Sequence, residues 1–100
     1  FADDLAEACC HLMAVYDDAT IVNIGTGQDL AICEVAEMIK DIVGYIGELV
    51  YDTSKPDGTP RKVLDISRIS MLGWKARTSL REGLEKTYQW FLTNKADDCL

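Results

Sequence analysis

The chain has 100 residues, 48% of them hydrophobic and 27% charged, which is globular composition and excludes a disordered tail or a collagen-like rod. Seventeen acidic against ten basic side chains leave a formal charge of −7, which opposes binding to phosphate backbones, so no nucleic-acid partner is expected. No apolar run approaches the roughly eighteen residues of a membrane span, and no signal-peptide pattern opens the chain. The length suits a single domain with one small core, and the expected location is the cytoplasm.

Asp3-Asp4 leads into Leu5, Cys9, Leu12 and Tyr16, whose spacing predicts a first helix over about residues 4–16. Thr20-Ile21-Val22-Asn23-Ile24 is a short β-branched run closed by Gly25-Thr26-Gly27, the pattern of a buried strand. From Leu30, the positions Ile32, Val35, Ala36, Ile39 and Val43 hold one helical face until Gly44. Glu48 to Tyr51 predicts a second strand. A loop dense in turn residues then runs from Asp52 to Lys62, and Val63-Leu64-Asp65 leads into a short helix from Ser67 to Leu72. Ser79-Leu80-Arg81-Glu82 has capping-box spacing, and Leu80, Leu84, Tyr88 and Phe91 set the face of a last helix to about Thr93. Residues from Ala96 to Leu100 are expected to fray.

Chemistry-bearing patterns are few. Cys9, Cys10, Cys33 and Cys99 form no CxxC pair and have no histidine at ligand spacing, so no metal site is predicted and the thiols are expected to be reduced. His11 beside Cys9-Cys10 does not make a thiol–imidazole pair, because adjacent helical residues point about 100° apart. Gly25-Thr26-Gly27 lacks the third glycine of a dinucleotide fingerprint, since Leu30 stands there, and reads first as a tight turn. Tyr51 and Lys55 have Y-x-x-x-K spacing, but Pro56 keeps that lysine out of a helix. The loop from Lys55 to Lys62 gathers three cations, one aspartate and two prolines in an otherwise acidic chain. Those residue types suit a nucleotide sugar, with cations for its phosphates and a carboxylate for its donors; by spacing alone a solvated surface loop remains open.

The order of the motifs adds to this. Asn23-Ile24-Gly25-Thr26-Gly27, the run from Tyr51 to Lys62, Leu64-Asp65, Leu72-Gly73-Trp74, Ser79-Leu80 and Tyr88-Gln89-Trp90-Phe91 together resemble the C-terminal part of the GDP-L-fucose synthase family, extended short-chain dehydrogenases. The opening Phe1 to Ala8 is similar to that family's V-D-D-L-A segment cut short. The resemblance implies an α/β fold: the C-terminal substrate-binding portion of a Rossmann-type enzyme, with about four helices and two or three short strands. It also implies that residues 1–100 are a single substrate-binding fragment, with the N-terminal NADP-binding domain outside this chain. The implied activity is conversion of GDP-4-keto-6-deoxy-mannose to GDP-L-fucose by epimerisation and NADPH-dependent reduction, by an enzyme that commonly forms homodimers.

The family's catalytic and cofactor-binding residues match no position here, so no catalytic residue and no bound NADP are expected in this chain. Its substrate-binding aspartate and lysine fall on Asp57 and Lys62. Arg61 is a neighbour without a claim of its own. Other extended nucleotide-sugar epimerases or dehydratases, and a free-standing interaction domain, are the alternatives. One departure concerns the second helix, where Ala31 replaces the usual hydroxyl cap at a cost of about 1 kcal/mol unless Asp29 caps instead.

Overall fold

The computed structural model describes residues 1–94 of the chain. The expected fraying of Ala96 to Leu100, and Cys99, lie outside the described residues. Four helices form where the periodicity predicts them: α1 (Ala2–Val15), α2 (Ile32–Val43), α3 (Ser67–Met71) and α4 (Leu80–Asn94). The described residues divide into two compact units, one of Phe1–Asp29 with Thr59–Thr78 and one of residues 30–58 with 79–94.

The first unit holds the buried hydrophobic residues Ala8, Ile69 and Trp74, with Leu12, Val22, Ile24, Ile66 and Ala76 packed against them. The buried face of α1 is rotated by one position from the expected one. Leu5 and Cys9 are exposed, whereas Asp4 and Ala8 are buried. The cause is Asp4, whose carboxylate accepts hydrogen bonds from the main-chain N–H groups of Arg77 (3.1 Å) and Thr78 (2.9 Å) and from the Thr78 hydroxyl (3.2 Å). A buried carboxylate needs such donors, and meeting them turns the helix. The N–H of Thr78, foremost, holds the Asp4 carboxyl below its ordinary value, against the opposing effect of desolvation.

No strand forms among the described residues, so the two or three expected strands are not found. A β-branched run becomes a strand only when a neighbour supplies the other half of a hydrogen-bonded ladder. Thr20 to Ile24 is instead tied by side chains. Arg68 Nη1 donates to the Ile21 carbonyl (2.9 Å) and Asn23 Nδ2 to the Asp65 carbonyl (3.4 Å). Val50, in the second predicted strand, is 83% exposed.

In the second unit α2 packs on α4. Gly44 ends α2 at φ 75°, in the left-handed region that favours glycine, and its N–H returns to the Lys40 and Asp41 carbonyls. Asp29 does not cap α2. Glu34 reaches back to the Ala31 N–H (3.0 Å), which is one half of a capping box. Alanine has no acceptor with which to complete it. At α4 the Ser79 hydroxyl accepts from the Glu82 N–H (3.2 Å), while the Glu82 carboxylate pairs with Lys86 (3.1 Å).

Candidate functional site

The loop from Asp52 to Lys62 begins on a side-chain-locked turn. Asp52 accepts from both the N–H (3.0 Å) and the hydroxyl of Ser54, and the Lys55 N–H reaches the Asp52 carbonyl (3.4 Å). The Ser54 hydroxyl first, then its N–H, holds the Asp52 carboxyl below its ordinary value. Pro56 and Pro60 fix φ on either side of Gly58, which limits the conformations the loop loses when it binds something.

The boundary between the two units passes between Gly58 and Thr59, so Asp57 and Lys62 lie in different units. Both are exposed. Among the described residues neither has a hydrogen-bond or ion-pair partner, which leaves a carboxylate and an ammonium group available to a ligand. Arg61 differs from them. Its Nε donates to Asp29 Oδ2 (2.6 Å) and its Nη2 to Asp29 Oδ1 (3.3 Å), a two-point ion pair that sequence reasoning missed. The partners are 32 residues apart, and nothing local in the sequence marks them as a pair.

The turn at Gly25-Thr26-Gly27 packs against Leu64 and Ile66. Gly27 has φ 76°, and a Cβ on it would lie 2.9 Å from Ile66 Cδ1, while one on Gly25 would meet Leu64 and Ile66 at 3.6 and 3.7 Å. The Cβ direction of each glycine faces the chain's own side chains, and at Gly27 only a residue without a side chain fits.

His11 is committed to structure, its Nε2–H donating to the Leu72 carbonyl at 2.7 Å. That bond anchors the turn carrying Gly73 and Trp74. Cys9, Cys10 and Cys33 are exposed free thiols. Among the described residues no group of three or more His, Cys, Asp or Glu side chains is placed to hold a metal ion, and no helix is long and apolar enough to cross a membrane.

Hollows among the described residues also lie outside the loop. A cleft of about 380 Å³ in the first unit is lined by Glu7, His11, Trp74, Lys75 and Arg77, with Arg77 paired to Glu7 (3.1 Å). An apolar groove of about 270 Å³ in the second unit runs between Ile39, Ile42 and Val43 of α2 and Leu84, Tyr88 and Phe91 of α4.

No family model matches the chain. It is 51% identical over 92 residues to a putative GDP-L-fucose synthase 2 of Arabidopsis thaliana, covering 92% of this chain and 28% of that protein. To the GDP-L-fucose synthase of Escherichia coli K12 it is 46% identical, over 93% of this chain and 32% of the enzyme. Among solved structures, a GDP-6-OMe-4-keto-L-xylo-heptose reductase from Campylobacter jejuni superposes with a TM-score of 0.83 at 41% identity, over 93% of this chain and 30% of that one. A GDP-D-glycero-L-gluco-heptose synthase from the same species, solved in the presence of NADPH, gives 0.80 at 39% identity, over 90% and 28%.

The chain is therefore homologous to the C-terminal part of Rossmann-type extended short-chain dehydrogenases. Within that class its sequence goes with the GDP-L-fucose synthases. It spans about three tenths of the length of the relatives it matches.

Proposed function

We propose that this chain is the C-terminal substrate-binding portion of an enzyme of GDP-L-fucose synthase type, which epimerises GDP-4-keto-6-deoxy-mannose and reduces it with NADPH to GDP-L-fucose. Lys62 faces the pyrophosphate, and Asp57 accepts hydrogen bonds from donors of the nucleotide sugar. NADP and the reacting groups belong to an N-terminal domain outside these residues. In the complete enzyme, a cytoplasmic homodimer, the runs Thr20 to Ile24 and Glu48 to Tyr51 gain the ladder partners they lack here. The observation that carries the reading is the division of labour in the loop. Arg61 is spent on Asp29, while Asp57 and Lys62 keep their charges free beside prolines that limit the loop's freedom.

A second reading shares the GDP site and changes the sugar, because the solved neighbours are named for GDP-heptoses. Titration of the complete enzyme with a panel of GDP-sugars separates the two. The site itself is tested with Lys62→Ala and Asp57→Ala. A charge-assisted hydrogen bond contributes about 1.5 to 3 kcal/mol, so Lys62→Ala is expected to weaken GDP-sugar binding by roughly one to two orders of magnitude. NADPH affinity is expected to hold. Unchanged sugar-nucleotide affinity in both variants would return the loop to a solvated surface.

A further inference from the structure

We infer that Asp29 is a positioning residue for the nucleotide-sugar loop: by gripping Arg61 at two points it fixes the backbone from which Lys62 presents its ammonium group. The inference rests on the role given to Lys62 above.

The two-point grip is one link in a longer seam within the first unit. Arg68 reaches Ile21, Asn23 reaches Asp65, Gly25 lies against Leu64 and Ile66, Gly27 lies against Ile66, and Asp29 holds Arg61. From Ile21 to Asp29 the partners shift overall from Arg68 back to Arg61, with Ile66 meeting both glycines, so the two segments run broadly antiparallel and are joined by side chains. The seam is anchored at one end on the core, where Val22, Ile24 and Ile66 pack against Ala8, Ile69 and Trp74. Its other end is the Asp29–Arg61 pair, next in sequence to Lys62.

This gives the glycine turn a purpose that a dinucleotide fingerprint does not. Gly27 supplies a left-handed residue and a surface with no side chain, and both bring Asp29 out of the turn beside the loop. The Asp29–Arg61 pair itself adds little stability. Arg61 is 71% exposed at its side chain, and exposed ion pairs contribute little to folding even when well formed. What a planar guanidinium held at two points does supply is direction, since a fork fixes orientation where a single contact does not. A pair of small energetic worth, placed one residue from a binding lysine, fits positioning better than folding.

The test is a double-mutant cycle on GDP binding in the complete enzyme, read by calorimetric titration. Asp29→Asn keeps the shape and removes the charge, and is expected to weaken GDP binding about two- to fivefold, with the loss appearing in KM rather than kcat. In the Lys62→Ala background the same substitution is expected to have no further effect, because there is no longer a lysine to position. Reversal of the pair, Asp29→Arg with Arg61→Asp, is expected to recover part of the affinity lost in either single reversal. Asp29→Asn without effect, where Lys62→Ala weakens binding, would overturn the positioning role alone. So would an Asp29→Asn loss that persists undiminished beside Lys62→Ala, or an Arg61→Ala loss with none for Asp29→Asn, which would make Arg61 a direct contact. Lys62→Ala without effect would overturn both this role and the proposed site.

Discussion

The two units of the chain are ordered by different means. In Phe1–Asp29 with Thr59–Thr78, the side chains of Ala8, Ile69 and Trp74 are buried together and main-chain groups are tied to side chains far away in sequence, Asp4 to Thr78 and His11 to Leu72 among them. In residues 30–58 with 79–94, α2 meets α4 along amphipathic faces that bury no large side chain completely among the described residues and leave an apolar groove between them. The contrast shows where a small chain concentrates its order. The first unit fixes the arm that carries Lys62, and the second behaves as a pair of helices whose apolar faces are open to cover. Phe91, Leu80 and Ile39 remain more than a third exposed there.

The comparison breaks most readily at Ile69. Ile69→Ala empties a fully buried site and is expected to cost about 2 to 5 kcal/mol, whereas Leu84→Ala, in the open groove, should cost no more than about 1 to 2, since a half-buried side chain realises only part of its transfer free energy. Urea denaturation of both variants checks this. Equal losses would mean that the two units share one core energetically.

A smaller effect of opposite sign belongs to the second unit. Ala31→Ser restores the acceptor missing from the capping box and is expected to stabilise α2 by about 0.5 to 1 kcal/mol, read as a raised denaturation midpoint. No change would mean that Glu34 and water already satisfy the first turn.

The smallest expected effect is one of slope. Asp4 has a native pKa below its ordinary 3.8, held there first by the Thr78 N–H, so its contribution is complete above that ordinary value and is lost as pH falls through the lower native one. Asp4→Asn should therefore flatten the fall in stability as pH drops through and below the ordinary carboxylate range, without abolishing it. Asp18, Asp52 and Asp65 are lowered in the same way, by Thr20, Ser54 and Ser67, and remain in place. A variant with an unchanged acid slope would show that Asp4 does not feel its donors.

Most of the helical order was legible because it is local. The periodicity, the stop at Gly44 and the Ser79 cap lie within a few residues of what they control, and all four helices formed near their predicted bounds. What sequence did not disclose is set by distant partners. The face of α1 turned because Asp4 finds donors 73 and 74 residues away, and Arg61 looked idle because its carboxylate is 32 residues off. The predicted strands failed for the same reason, since a strand is defined by a neighbour's hydrogen bonds rather than by its own side chains. Asp57 and Lys62 were singled out by resemblance, because nothing in the local sequence separates a ligand-facing carboxylate and ammonium group from other charges on a loop.

The most direct test of the proposal that this chain is the substrate-binding portion of a larger NADPH-dependent enzyme is a paired assay of GDP-L-fucose formation from GDP-4-keto-6-deoxy-mannose and NADPH. One arm uses the complete protein and the other the isolated 100 residues. The expected result is product and stoichiometric NADPH oxidation in the first and neither in the second. NADPH oxidation by the isolated chain, or a complete protein that binds no GDP-sugar and forms no product, would contradict the account.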